Sequence, residues 1–418
     1  MAQKKNSNKT NKKVIKTAKK MAKKNPAVFI IVLLVVAALA VGCYFLWIKV
    51  ISPQLEKNRA NNTIPEQSEP ISSSSETPIS SSSSSSSKSS SSSIPFTGDV
   101  APIDINFLEL GNKYTGDSTF IKAGDVDILI DAGSRQNSAT AISTFVDTYC
   151  TDGVLEYVIA THAHQDHIAG FVGSNSAEGI LKHYKVGTLI DFSLTNATSA
   201  IYNNYVSLRD EKVTSGDIAH HYYAHECVAE TNGAKRVYDL APGITMEILD
   251  QKFYREKTSD ENDYSVCTLF TQGNNHYLFT GDLEKDGEAS LVALNNLPEV
   301  ELFKGGHHGS YTANTETLLS VVKPKNVCIC CCAGSDEYTS NKDNMFPAQA
   351  AVDRIAKYTD KVYVTTVVSD DSKGYKSMNG NINFHSDAGK EYVVTGSNNS
   401  VILKETDWFK SNRTWPTY

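Results

Sequence analysis

Four residues with metal-binding side chains lie within six positions of one another, at His162, His164, Asp166 and His167. The apolar run at 155–161 precedes them and predicts a buried strand that ends just before the first histidine. Imidazoles and carboxylates grouped so closely are the ligands that Zn²⁺ and Mn²⁺ take in proteins. We therefore expect two divalent ions, one held by His162 and His164 and the second by Asp166 and His167.

Further acidic and histidine residues also follow runs that predict strands. Asp131 ends the run Ile-Leu-Ile-Asp, Asp282 follows Leu-Phe-Thr-Gly, and the pair His307-His308 follows the run at 300–304. The set as a whole, with its spacing His-x-His-x-Asp-His, resembles the metallo-β-lactamase superfamily over essentially the whole globular part of the chain. The resemblance implies a four-layer αββα sandwich of the α/β class with a dinuclear metal site.

The resemblance also implies a role for each of these residues. Asp131 is expected to hold the metal-binding loop by hydrogen bonds, and Asp282 to bridge the two metal ions. Of the histidine pair we favour His307 as a ligand, with His308 placed to protonate the leaving oxygen. Asp166 and His308 are thus the expected catalytic residues.

The residues after the histidine pair are expected to contact substrate. Ser310 and the amide of Gly309 can donate hydrogen bonds to it, although the glycine can equally serve only to form a tight turn. Gly305 and Gly306, just before the pair, lack the Lys-Ser/Thr of a phosphate-binding P-loop.

One motif departs from the family pattern. Where many members place a third histidine for the first metal, this chain reads Glu-Asn-Asp-Tyr-Ser at 261–265. Asp263 could substitute with oxygen, or a water molecule could fill the position, and oxygen in place of nitrogen favours Mn²⁺ more than a three-histidine site does, so the metal is Zn²⁺ or Mn²⁺. His220, His221 and His225 could also reach the site, but we expect them at the surface.

Taken together, the motifs are similar to a narrower group, the hydrolase domain of the ComEC-type competence family. A second similar group is the teichoic-acid phosphorylcholine esterases of Gram-positive surfaces. Both imply hydrolysis of a phosphodiester, in a nucleic acid or in a cell-wall polymer, by a metal-activated water. The alternative is a surface module that keeps the fold for binding only.

The rest of the chain predicts four segments: a basic cytoplasmic segment at 1–26, a transmembrane signal anchor at 27–51, a disordered Ser-rich linker at 52–98 and the hydrolase domain at 99–418. Residues 1–26 contain ten lysines and no acid, and residues 27–48 carry no charge. This pattern predicts a single span with the C-terminal domain outside a Gram-positive cell. A cleaved lipoprotein signal ending before Cys43 is the alternative.

The hydrolase domain is strongly acidic, with 26 basic and 43 acidic residues. Such a charge disfavours binding of long polyanions, whose affinity comes mainly from Lys and Arg. Short apolar runs alternating with helical stretches predict two mixed sheets with helices outside. We expect the cysteines at 328–332 in a buried strand, and a last hairpin at 381–395 to complete the second sheet.

Overall fold

The computed structural model describes residues 97–418. The predicted basic segment, transmembrane anchor and almost all of the predicted linker lie outside the described residues, so these boundaries stay predictions. Within 97–418, no helix is both long and apolar enough to cross a membrane.

The described part of the chain forms strands β1 to β18. Their bounds are Ile103–Phe107, Thr119–Ala123, Val126–Ile130, Val154–Ile159, Gly173–Ser174, Ala177–Glu178, Lys185–Asp191, Ile218–Tyr223, Val237–Ala241, Ile244–Ile248, Thr268–Gln272, Asn275–Phe279, Leu302–Lys304, Val327–Ala333, Val362–Val368, Tyr375–Ser377, Ile382–Asp387 and Glu391–Gly396.

Helices α1 to α8 lie between the strands, and α9 follows β18. Their bounds are Ser138–Val146, Gln165–Val172, Ile180–His183, Ala200–Ser215, Ala224–Ala229, Lys285–Leu294, Glu316–Val322, Gln349–Ile355 and Asp407–Asn412. Short 3₁₀ turns at Glu261–Tyr264 and Gly306–Gly309 belong to the loops that carry the candidate site.

Two mixed sheets of eight strands each organise the domain, which confirms the predicted α/β class. The first sheet has the order β18-β17-β1-β2-β3-β4-β7-β8, and the second has the order β16-β15-β14-β13-β12-β11-β10-β9. In the first, β3, β4, β7 and β8 run parallel. In the second, β12 to β15 run parallel. In each sheet the carboxyl ends of these parallel strands therefore lie side by side.

Alternation along β14 shows how the sheets pack. Cys328 and Cys330 lie in the apolar core shared by the two sheets. Ile329 and Cys331 belong instead to an outer core that includes α7 and α8. Since successive side chains of a strand point to opposite faces, the second sheet contacts the first sheet on one face and helices on the other. All seven residues of β14 are buried and its cysteines are free thiols, as predicted.

The last hairpin corrects one prediction. We expected it to complete the second sheet, but β17 pairs antiparallel with β1, and β18 forms the outer edge of the first sheet. The hairpin of β1 with β2 leaves the other edge of β1 free, and the returning chain covers that edge. The pairing joins residues nearly 280 positions apart, so no local pattern specifies it.

Candidate metal centre

Loops that follow parallel strands bring the candidate site together. Asp131 follows β3, His162 follows β4, Asp282 follows β12 and His308 follows β13. The first two belong to one sheet and the last two to the other. The site therefore lies where the carboxyl ends of parallel strands from both sheets face each other, a usual position for ligand sites in α/β folds.

Asp282 is the centre of a buried cluster. Its Oδ2 lies 3.0 Å from Nε2 of His167, 3.1 Å from Nε2 of His308 and 3.9 Å from Nε2 of His162. Burial alone would raise the pKa of this carboxyl, but the nearby His167, His308 and His307 hold it well below its usual range. Asp282 is therefore a carboxylate enclosed by imidazoles.

The first two histidines of the signature lie beside this cluster. Nε2 of His162 is 3.0 Å from Nδ1 of His164. Burial, with help from His167 and His164, lowers the pKa of His162 well below its usual value, so this imidazole stays neutral and keeps a lone pair. Asp166 lies on the same side, with its Oδ2 3.5 Å from Nε2 of His308. The structure thus brings all four residues of the signature together.

Asp131 lies behind the cluster and contacts the loop that carries it. Its carboxylate accepts hydrogen bonds from the backbone N–H of Thr161 at 2.8 Å and from the Thr161 hydroxyl at 2.7 Å. Its Oδ2 is also 2.7 Å from Nδ1 of His167. Because Nδ1 is occupied in this way, the Nε2 of His167 faces Asp282.

Two buried residues of the site were missed by sequence reasoning, Asp117 and Lys304. Asp117 Oδ1 lies 3.2 Å from Nδ1 of His308, and its Oδ2 forms an ion pair with Lys304 Nζ. Burial alone would lower the pKa of Lys304, but Asp117 and Asp282 raise it, so the ammonium stays charged. The local signals are a Gly-Asp-Ser just before β2 and a lysine that ends an apolar strand, and neither stands out in a single sequence.

The histidine pair points in two directions. His307 and His308 both have left-handed backbone conformations, with φ of 47° and 53°, which cost non-glycine residues about 1–3 kcal/mol each. His308 is fully buried in the cluster, whereas His307 lies at the pocket surface with Nδ1 3.1 Å from Glu284 Oε1 and Nε2 3.9 Å from Asp282. His308 thus lies within the cluster and His307 at the cavity surface, and which of the two binds metal stays a prediction.

Asp263 does not join the cluster within the described part of the chain. Its Oδ1 faces the backbone N–H of Glu284 at 3.4 Å, and burial together with Asp260 raises its pKa to about 6. Ser265 approaches the first histidine instead, with its Oγ 3.3 Å from Nδ1 of His162. Asp263 thus lies outside the buried group, and its part as a possible oxygen ligand stays a prediction.

The two residues expected to contact substrate and the histidines at 220–225 lie at different places in the fold. Ser310 lines the pocket. Gly309 has a φ of 78° and lies against Pro347, where a side chain would clash, which fits its interpretation as a tight turn. His220 is exposed, and His221 and His225 are half-buried on or beside β8, outside the cluster.

The donor set fits divalent metal ions. Within residues 97–418, one group of buried side chains offers ligand atoms within 4.8 Å of one another, and its members are Asp117, His167, Asp282 and His308. Nε2 of His308 and Oδ1 of Asp282 are buried without a hydrogen-bond partner. Unpaired buried polar atoms are costly unless a ligand satisfies them. Asp117 faces Nδ1 of His308 and pairs with the Lys304 ammonium, whereas the Asp282 carboxylate and Nε2 of His308 lie on the side of His167 and Asp166.

A cavity of about 700 Å³ opens onto the cluster. Its walls include four carboxylates, those of Asp166, Asp282, Glu284 and Glu337, and Arg135 is the one Lys or Arg among the described residues that line it. Tyr338 donates a hydrogen bond of 2.6 Å from its hydroxyl to Asp166 Oδ2. The cavity is therefore acidic at the metal end and carries one cation on its wall.

Comparison with known proteins agrees with this geometry. Residues 111–192, which include Asp131 and the whole His-x-His-x-Asp-His signature, match the metallo-beta-lactamase superfamily. This part of the chain is similar to the metallo-β-lactamase superfamily. The resemblance predicted from the motifs is thereby confirmed, and the matched segment runs from the end of β1 to the end of β7.

Two curated proteins are similar in sequence to this chain. ComE operon protein 3 of Bacillus subtilis is 28% identical over 42% of this chain and 20% of its own length. Recombination protein 2 of Haemophilus influenzae is 27% identical over 63% of this chain and 28% of its own length. Both confirm the likeness to the ComEC-type group. The aligned part of the chain spans less than a third of either relative.

Solved structures similar to this chain have low TM-scores. A diphosphatase of the PhnP family is 12% identical over 55% of this chain and 86% of its own, with a TM-score of 0.31. The short form of human tRNase Z is 11% identical over 66% of this chain and 99% of its own, with a TM-score of 0.26.

Proposed function

We propose that the protein is a metal-dependent phosphodiesterase of the ComEC-type group, which acts on nucleic acid. The observation that carries the proposal is the buried cluster of His167, Asp282 and His308 at the floor of an open acidic cavity, in which polar atoms, among them Oδ1 of Asp282, have no hydrogen-bond partner. A purely structural cluster would be expected to pair these atoms within the protein.

Two divalent ions, Zn²⁺ or Mn²⁺, fit the charge of the cluster. Four acids, Asp117, Asp131, Asp166 and Asp282, are buried here with one charged lysine. Burying uncompensated charge is costly, so this excess of negative charge favours cations within the cluster. His162 and His164 would hold one ion, Asp166, His167 and His308 the other, with Asp282 between them. When bound, such ions acidify a water molecule and polarise the phosphoryl oxygens.

The remaining side chains would orient the substrate. His307 reaches the cavity surface and is held by Glu284, which also accepts a hydrogen bond of 2.8 Å from the Thr312 hydroxyl. Nε2 of His307 therefore faces away from Glu284 and towards Asp282, where it can donate a proton to the leaving oxygen. Ser310, whose Oγ lies 2.8 Å from that of Thr312, lies on the same wall and can donate to a phosphate oxygen.

The location of the protein is also a proposal. The ten lysines before an uncharged run of 22 residues support a single membrane anchor with the N-terminus in the cytoplasm. The Ser-rich stretch after it supports a linker that carries the hydrolase domain away from the membrane on the outer side. The proposed reaction does not depend on either feature.

The test is hydrolysis of bis-(p-nitrophenyl) phosphate by the full-length protein with Zn²⁺ and with Mn²⁺. We expect turnover that a chelator abolishes and either metal restores, and about two metal ions per chain by elemental analysis. Chelation should also lower the thermal midpoint, because an ion that binds the folded state stabilises it. A metal-free protein with unchanged stability and no turnover would leave the alternative of a binding module.

A second candidate, a wall phosphorylcholine-type esterase, has one observation in its favour. The cavity combines carboxylates with the aromatic rings of Tyr338 and Phe346, whose centroids are 5.6 Å apart. Acidic and aromatic surfaces bind quaternary ammonium groups. Release of choline phosphate from teichoic acid, measured beside cleavage of single-stranded DNA, separates the two candidates.

A further inference from the structure

Arg135 is an isolated cation on the wall of an acidic cavity. Its guanidinium lies 4.0 Å above the ring of Tyr114 and forms an ion pair with Glu337. Its Nη1 donates a hydrogen bond of 2.8 Å to the carbonyl oxygen of Ser134. A guanidinium has five N–H donors, and these contacts use two of them within the described residues. The stacked, partly engaged side chain is thus held in place with donors left over.

Arg135 is linked to the metal end of the cavity through two adjacent residues. Glu337, which holds Arg135, also accepts a hydrogen bond of 3.0 Å from the backbone N–H of Thr115. Tyr338, the next residue, donates to Asp166 in the cluster. Arg135 therefore lines the same cavity as Asp166 and Asp282 of the cluster, and its position is held by the segment that contacts Asp166.

This position suits a second phosphate of the substrate. Arginine binds phosphate through paired N–H donors, and a stacked guanidinium gives up less entropy on binding. A long polyanion needs a series of Lys and Arg residues, whereas this cavity offers one. The site can therefore neutralise one phosphate beside the scissile group, and no more.

Aromatic side chains at the mouth indicate what lies between the two phosphates. Tyr311 and Tyr338 are 51% and 53% exposed, although both rings are large and apolar. Exposed aromatic rings beside a phosphate site are the usual platforms on which nucleobases stack. A polyol-phosphate chain has no ring to place there.

We propose that Arg135 forms a second phosphate subsite, and that the substrate is a short oligonucleotide or a strand end that carries a further phosphate beside the scissile bond. The proposal rests on the phosphodiesterase function above and names its substrate class. Glu337 competes with the incoming phosphate for the guanidinium and weakens binding of that phosphate.

The test measures equilibrium binding to the full-length protein, with Mn²⁺ present, of thymidine 3′,5′-bisphosphate and of thymidine 3′-monophosphate. The wild type should bind the bisphosphate about 10- to 100-fold more tightly, the range for a hydrogen-bonded charge pair. Arg135→Ala should remove most of that difference, and Arg135→Lys should keep part of it. Arg255→Ala, which changes an exposed arginine outside the cavity, is the matched control and should change neither constant.

The variant Glu337→Gln provides a second, independent test of the subsite. The amide keeps an acceptor for the Thr115 N–H but removes the competing charge, so bisphosphate binding should tighten several-fold. Weaker binding in this variant, or an undiminished difference in Arg135→Ala, would overturn the subsite. Equal affinity for glycerol bisphosphate and thymidine bisphosphate would overturn the nucleotide assignment.

These outcomes are separate from the proposed function. Hydrolysis of bis-(p-nitrophenyl) phosphate by the wild type tests the phosphodiesterase, while the binding difference tests the subsite. If both hold, Arg135→Ala should lower kcat/KM for a 5′-phosphorylated dinucleotide at least tenfold more than for bis-(p-nitrophenyl) phosphate.

Discussion

Two stretches of the chain, 162–167 and 220–225, each contain three histidines within six residues. The fold places them in different environments. The first lies between two sheets, where Asp131 and Asp282 contact opposite nitrogens of His167. The second lies on and beside β8, the edge strand of the first sheet, where His220 and Tyr222 stack in the open with centroids 6.1 Å apart.

The carboxylate beside the second stretch is already paired. Asp191 lies 3.5 Å from Nε2 of His221, but it forms an ion pair of 2.7 Å with Arg209. In the first stretch the acids outnumber the neighbouring cations, and buried atoms of Asp282 and His308 are left for a ligand. Histidine content is thus not enough for a metal site, because the opposing elements must also supply unpaired carboxylates.

The largest effect is expected from Asp282, the buried acid that faces the first stretch. Asp282→Asn keeps the shape but removes the charge, so bound metal should fall and kcat/KM for bis-(p-nitrophenyl) phosphate should drop by more than about 10²-fold. Asp191→Asn is the matched control, because Asp191 is the buried acid beside the second stretch. It should lower stability, by leaving Arg209 without its partner, and leave the metal content unchanged. Equal metal content in both variants would contradict the comparison.

The pair His307-His308 provides the next test of the cluster. His308→Ala should reduce the metal bound per chain, since His308 faces Asp282 inside the cluster. His307→Ala should keep the metal and lower kcat by about 10²-fold or more, the usual contribution of a proton donor. Elemental analysis and steady-state kinetics of the two variants decide between the order found in the structure and the one expected from the sequence.

The buried ion pair behind the cluster affects stability. Lys304→Met leaves Asp117 as a buried, unpaired carboxylate, and the free energy of unfolding of the metal-free protein should fall by about 3–5 kcal/mol. The double variant Lys304→Met/Asp117→Asn removes both charges and should recover part of the loss. A double variant less stable than the single one would show that the pair is not coupled.

A smaller effect is expected from Tyr338. Tyr338→Phe removes the hydroxyl that donates to Asp166 but keeps the exposed ring. A single hydrogen bond of this kind is worth about 0.5–1.5 kcal/mol, so kcat/KM should fall by about two- to tenfold with metal content unchanged. Tyr311→Phe changes a neighbouring exposed tyrosine of the cavity and serves as its control.

The smallest effect belongs to the second histidine stretch. His220→Ala should change the free energy of unfolding by no more than about 0.5 kcal/mol and leave metal content and activity as in the wild type. His164→Ala, at the half-buried histidine of the first stretch, should lose metal and activity. A loss of metal in His220→Ala would remove the distinction between the two stretches.

Much of the fold was predictable from local pattern. The two mixed sheets and the buried cysteine strand follow from apolar runs and their spacing, which short-range backbone geometry dictates. The position of the last hairpin was not predictable, because β17 pairs with β1 across nearly the whole domain. Nothing in the alternation of β17 or β18 distinguishes a free edge in one sheet from a free edge in the other.

The sequence by itself determined which side chains form the candidate metal centre. The spacing of His162, His164, Asp166 and His167 after a strand places four ligand side chains on one turn, since a strand end and the first helical turn that follows have fixed reach. Asp282 was recognisable for the same reason.

The tertiary structure alone decided the environment of those ligands. The left-handed turn at 306–309 selects His308 for the interior, and the packing of β13 against the loop before β2 pairs Lys304 with Asp117. These choices depend on contacts between residues far apart in the chain, and on the cost of burying a charge without a partner. The position of Arg135 as the one cation on the cavity wall is fixed in the same way.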